Sequence, residues 1–186
     1  LLVLAWWLAP ARRPAARLEG ARPIPPPISS PFGSWRGAAG KRPWRHFGID
    51  IAVPTGTPVL AAADGRVVRV RGGPISGYTV VVVHRDEPDP LATTYHHLSA
   101  VEVRPGQRVA RGAPLGRSGR GNRSSGPHLH FGVCRRPGGR CGDRITAGWA
   151  DPVLFWADRD DPCFRPGRRY EPEPLRLTFP VPCRQP

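Results

Sequence analysis

The sequence predicts an all-β fold: a single compact antiparallel domain of β-sandwich or hybrid-motif type, with short loops and non-regular N- and C-terminal extensions. Three observations carry this. The 186 residues include 25 prolines and 22 glycines, a composition that favours turns and short strands over long helices. From Thr57 onward, short apolar runs rich in β-branched residues alternate with turn residues. No long stretch repeats its apolar residues every 3.6 positions.

The elements follow in chain order. Leu1 to Leu8 (LLVLAWWL) is apolar but too short to span a bilayer. With the small residues of Ala9-Pro10-Ala11 behind it, residues 1–11 read as a signal-peptide remnant, with a buried N-terminal strand as the rival. Residues 12–28, rich in Pro and Arg, read as a linker ending in the polyproline-like Pro23 to Pro27. The ordered domain is expected over residues 29–157. Pro58 to Ala63 reads as a strand, Asp64-Gly65 as a hairpin turn, and Arg66 to Val70 as the return. Tyr78 to His84 (YTVVVVH) suits a strand buried on both faces, with His84 at its exposed end. Ala92 to Leu98 and Val101 to Val103 are two further runs, and Pro127 to Cys134 is the last. Asp151 to Trp156 reads as one helical turn. Residues 158–186 are expected as a Cys-containing, Pro/Arg-rich extension on the domain surface, with Leu175 to Phe179 available as an edge strand.

Cys134, Cys141, Cys163 and Cys183 form no CxxC pair, which argues against a zinc ribbon or a thioredoxin-like site. An even count beside an export signal suggests disulfides. Four cysteines allow three connectivities. Cys134 and Cys141 flank a hairpin-like tip, so they are expected to pair, leaving Cys163 with Cys183.

The formal net charge is +14, and Lys41 is the sole lysine. Such a chain is drawn to polyanions, including anionic cell-wall polymers. No aromatic-rich basic module of a nucleic-acid binder is present, so no nucleic-acid partner is expected. A lipoyl- or biotin-carrier domain would need a lysine on an exposed hairpin tip, and Lys41 precedes the main run of strands. No stable membrane span is expected, and the chain is expected to act as a monomer.

The chemistry lies in the histidines. His128 and His130 alternate in an apolar run, so in a strand both rings project from one face. His46 and Asp50 stand four apart with Gly48 between them, a glycine that lets the backbone bend toward one ion. Imidazole and carboxylate suit Zn²⁺. Tyr95-His96-His97 adds two rings. In an extended run Tyr95 and His97 share a face and His96 points away, so at most one of this pair belongs with His46.

The ordered set His46-x-x-x-Asp50, Tyr95-x-His97-Leu98 and His128-Leu129-His130-Phe131 resembles the lysostaphin-type (LytM-like) zinc endopeptidases that cut peptidoglycan peptides. The flanking Ser30-Pro31-Phe32-Gly33, Asp50-Ile51-Ala52-Val53-Pro54-Thr55-Gly56-Thr57-Pro58-Val59, Ala62-Ala63-Asp64-Gly65 and Ser125-Gly126-Pro127 agree. The resemblance runs from about Pro31 to Phe155. It implies zinc held by His46, Asp50 and His130, with His97 and His128 as acid–base and transition-state residues. It also implies a hydrolase of peptidoglycan stem peptides or cross-links, acting in a secreted, periplasmic or wall-associated setting. A catalytically silent activator of other wall hydrolases is the alternative; such relatives have lost ligands, and none of the five residues is missing here. Tyr95 is expected either to line the groove or to pack in a strand. His96 departs from the small residue common at that place and reads as solvated or as a ligand to a second, inhibitory zinc.

Overall fold

The computed structural model describes residues 22–37, 43–73, 77–121, 126–136, 141 and 148–185. The expected signal-peptide remnant, the first part of the linker, Lys41 and the hairpin tip after Arg136 lie outside these residues.

Twelve strands form among the described residues, all pairing antiparallel. In chain order they are β1 (Ile28–Ser30), β2 (Trp35–Arg36), β3 (Trp44–Arg45), β4 (Ile49–Ile51), β5 (Pro58–Leu60), β6 (Gly65–Gly73), β7 (Gly77–Arg85), β8 (Leu91–Val101), β9 (Arg108–Val109), β10 (Pro114–Ser118), β11 (Leu129–Cys134) and β12 (Trp149–Ala150). Ten belong to one sheet, whose main path runs β1-β4-β11-β8-β7-β6-β9, while β2 and β3 form a separate ribbon. The expected helical turn is a 3-10 turn at Pro152–Phe155, opened by the Asp151 carboxylate accepting from the Val153 N–H.

The alternation of each strand decides which face carries what. Ile49 and Ile51 of β4, Tyr95 of β8 and Leu129, Phe131 and Val133 of β11 enter the main core with Val67, Val80 and Val82. Val81, Val83, Ala92 and Cys134 pack into a second cluster. Strand β7 is thus apolar on both sides, as its run of valines predicts. The intervening residues Asp50, His96 and His130 are left for the face away from the main core.

Four expectations change. Asp64-Gly65 does not close a hairpin, because β5 pairs with β10 and β6 with β7 and β9. The two runs around Leu98 are one continuous strand. Its second half leaves the main path to pair Val101 with Gly116 and Leu98 with Ser118 of β10. The tail does not merely coat the surface. Leu177, Phe179 and Val181 are buried in the main core, and the Thr178 N–H donates to the Ala62 carbonyl at 2.8 Å. Finally, Ile24 exchanges both backbone hydrogen bonds with Arg184, so the second half of the expected linker is tied to the tail. The disulfides are Cys134–Cys141 and Cys163–Cys183, as expected. No helix among the described residues is long and apolar enough to cross a membrane.

Candidate metal centre

Strand register builds the site. His130 of β11 lies directly opposite Asp50 of β4 on one side and His96 of β8 on the other. Opposed residues of an antiparallel pair point to the same face, so this single rung delivers a carboxylate and two imidazoles together. His46 arrives from the loop between β3 and β4, its Nδ1–H donating to the Pro31 carbonyl at 2.9 Å. That bond leaves His46 Nε2 with its lone pair toward Asp50 and His130.

Three ligand atoms converge. His46 Nε2, Asp50 Oδ1 and His130 Nδ1 stand 2.9, 3.0 and 3.1 Å from one another, and all three residues are buried. Atoms on such a triangle can each lie at the ~2.0–2.1 Å that zinc requires. Three protein donors would leave a fourth tetrahedral position open. The donor set of two imidazoles and one carboxylate therefore fits a catalytic zinc.

His97 and His128 complete the cavity. Their ring centroids are 4.9 Å apart, and His97 is 6.1 Å from His130. The His128 Nδ1–H donates to the Gly126 carbonyl at 2.9 Å, while Nε2 stands 3.7 Å from Asp50 Oδ1. A cavity of about 250 Å³ is lined by these five residues together with Arg36, Trp44, Phe47 and His96.

Electrostatics follow from burial. Burial alone would raise the Asp50 carboxyl. The hydrogen bonds and charges of His130 and His46 outweigh it and hold the group far below the usual carboxylate range. Burial pushes His97 down to about 4, with the His130 and His128 rings adding to the effect. His96 and His130 are lowered too, again chiefly by burial.

All five sequence-singled residues come together. Of the two readings for Tyr95 the structure takes strand packing: it is fully buried in the core, and its hydroxyl accepts from the Ala62 N–H at 2.9 Å. Its neighbours depart from the period of two. His96 and His97 both face the cavity. Strand β8 spends one residue more than β7 between the Tyr95–Val80 and Leu98–Tyr78 pairs, and His97 takes a left-handed φ of 63°. This bulge turns the His97 ring back to the side His96 already occupies. His96 is half-buried rather than freely solvated. Its Nδ1 meets the Thr79 hydroxyl at 3.2 Å, and its buried Nε2 has no partner among the described residues. His84 is not an exposed strand end, for its Nδ1–H donates to the Asp64 carbonyl at 2.7 Å and Nε2 pairs with the Thr93 hydroxyl at 2.8 Å.

Arg36 is the groove residue that motif reading missed. Its Nη2 donates to Ser30 Oγ at 2.8 Å and bonds the outer oxygen of Asp50, Oδ2. The same nitrogen is 3.2 Å from His46 Nε2. No spacing rule marks it, because it comes from the separate β2–β3 ribbon.

The sequence profile of peptidase family M23 matches residues 44–141, which is more than half of the chain. The chain belongs to peptidase family M23. This is the lysostaphin-type group of zinc metallopeptidases that the ordered motifs resemble. Over 91 residues, 49% of its length, the chain is 45% identical to the peptidoglycan DD-endopeptidase ShyA of Vibrio cholerae, of which it covers 20%. Among solved structures, LytU superposes with a TM-score of 0.56 at 28% identity, covering 78% of this chain and 90% of LytU. A zinc-containing peptidase from Vibrio cholerae superposes with a TM-score of 0.53 at 34% identity, covering 65% of this chain and 39% of that one. The chain spans only 20% to 29% of the length of the first curated relatives it matches.

Proposed function

We propose that this chain is a zinc-dependent endopeptidase that hydrolyses peptide bonds in peptidoglycan stem peptides or cross-links outside the cytoplasm. The observation that carries the reading is the convergence of His46 Nε2, Asp50 Oδ1 and His130 Nδ1 beneath the His97 and His128 rings. His46, Asp50 and His130 are the ligands in this reading. Bound zinc supplies a Lewis acid that polarises the scissile carbonyl and acidifies a water.

The chain's own groups do the rest. His128 holds its Nδ1 proton on the Gly126 carbonyl, which leaves Nε2 as the basic nitrogen beside Asp50. It is placed to take the proton of the attacking water. His97 is neutral near pH 7 because burial depresses it. Its N–H can hydrogen-bond the developing oxyanion, while His128 returns the proton to the leaving amine. The half-buried ring of Phe47 packs edge-on against His130 at 4.7 Å and covers that side of it. The formal net charge of +14 supports retention on an anionic wall. We assign catalysis to residues 29–157, with the tail completing their core.

The test compares wild type with His130→Ala and His97→Ala for bound zinc and for clearing of purified sacculi. Wild type should bind zinc and clear the sacculi. The first variant should lose both properties; the second should keep zinc and lose clearing. Full clearing by both variants would falsify the metallopeptidase reading.

A further inference from the structure

We propose that Arg36 is a carboxylate anchor, so that the groove selects amide bonds whose amine-side residue carries a free carboxylate on the carbon holding the scissile nitrogen. This rests on the peptidase reading above and specifies its substrate.

The first argument is position. Arg36 lines the same cavity as the His46–Asp50–His130 set. Its Nη2 is 3.2 Å from His46 Nε2, and a zinc–nitrogen bond is about 2.0–2.1 Å, so the guanidinium lies within about 5.3 Å of any ion held there. In the substrate, three bonds separate the scissile carbonyl carbon from a carboxylate on the adjoining residue, C–N, N–Cα and Cα–C, and with their bond angles these span about 3.7 Å when fully extended. A carbonyl drawn to the ion therefore carries that carboxylate into the space beside the Arg36 guanidinium.

The second argument is charge. Asp50 shares its one negative charge between the ion and Arg36. With a divalent ion bound and both ligand imidazoles neutral, ion, Asp50 and Arg36 leave two net positive charges in a mostly buried cavity. Such a site is completed by an anion. Arginine suits the role, because its planar fork can keep one nitrogen on Asp50 and offer another to a carboxylate, where an ammonium is a single point. Arg36 Nε is buried without a partner among the described residues, and the side chain is one third exposed. The guanidinium is therefore neither fully satisfied nor sealed off.

The third argument is the ribbon. Arg36 is paired with Trp44 across β2–β3, and Trp44 lines the cavity while 45% exposed. The ribbon thus presents an apolar wall next to a cation, a surface matched to a short residue ending in an acid. A purely positioning role, in which Arg36 only fixes Asp50 as a one-oxygen ligand, predicts no preference for the acid.

Two soluble cross-linked peptides decide between these, identical except that the amine-side residue bears a free carboxylate or its carboxamide. Zinc-loaded wild type should favour the acid by about 10- to 100-fold in kcat/KM, the span of a charge-assisted hydrogen bond. In Arg36→Gln that ratio should fall to near one, and Arg36→Lys should keep only part of it. The amine-side product fragments, titrated calorimetrically, should show the same ordering in Kd. A wild-type ratio near one overturns the proposal. So does an Arg36→Gln variant that slows both substrates equally and keeps the ratio, which would leave Arg36 as a support for Asp50. If zinc-loaded wild type cut neither peptide, the peptidase reading would fall, and the fragment affinities alone would decide the anchor.

Discussion

His96 and His130 stand on directly opposed residues of β8 and β11, with ring centroids 5.0 Å apart and planes edge to face. With Nδ1 of His130 turned to the ion site, its Nε2 is buried without a partner among the described residues, as is Nε2 of His96. A metal-bound imidazole is normally oriented by a partner on its outer nitrogen, and His96 is the polar group on that side. Here that contact is ring packing without a hydrogen bond, so His96→Leu should weaken zinc binding by less than about 10-fold, the low end of losing an outer partner, read by competition with a chromophoric chelator. Stability should change little, since an apolar chain replaces a ring with an unpaired nitrogen. Stoichiometry should be one zinc per chain, with or without His96.

Chelation should stop hydrolysis and leave the fold. The proposed ligands sit on the face away from the main core, so core packing should not depend on the ion. Far-ultraviolet dichroism should be unchanged after chelator treatment, Tm should fall through lost mass action, and added Zn²⁺ should restore turnover.

Gly48 leaves no room for a side chain. A Cβ there would meet the Phe131 carbonyl oxygen at 2.4 Å and His130 Nε2 at 2.9 Å. Gly48→Ala should destabilise the domain by about 1–3 kcal/mol through overpacking and displace His130, lowering zinc affinity. Denaturant unfolding and the chelator competition measure the two effects separately.

His84 makes stability fall with acid. Burial, with the Arg111 charge adding and the Asp64 carbonyl opposing, lowers it from 6.5 to about 4. Between these values the unfolded chain binds a proton that the folded chain refuses. The His84 contribution is complete above 6.5 and is lost as pH falls toward 4. From pH 7 to pH 5 wild type should lose about 2 kcal/mol more than His84→Gln, measured by denaturant titration at both values.

Leu177 is fully buried in the core. Leu177→Ala should cost about 2–5 kcal/mol, whereas a tail that only coated the surface would lose under about 0.5 kcal/mol. Equilibrium unfolding separates the two.

What the sequence revealed is what spacing encodes. The His128–His130 alternation holds because a regular strand obeys a period of two, and the same register sets Asp50 opposite His130. His96 departs from the expectation because one extra residue in β8 breaks that period and leaves it on the same side as His97, and β-branched or aromatic content does not announce a bulge. Arg36 was invisible because its importance comes from the docking of a two-strand ribbon, a long-range contact with no local pattern. Leu175 to Phe179 alternates as an edge strand would, and alternation cannot tell an edge from a core-filling segment. His84 looked exposed because its partners, Asp64 and Thr93, are brought to it only by the folded sheet.

The left-handed turn at His97 makes the cleft intolerant of deletion. Exchanging either neighbouring imidazole trims one group and leaves the strand in step. Deleting one would move Leu98 out of the interior and unhook Ser118 from its pairing. Silenced descendants of this domain should thus arise by residue exchange at 96 or 97, with chain length there held constant.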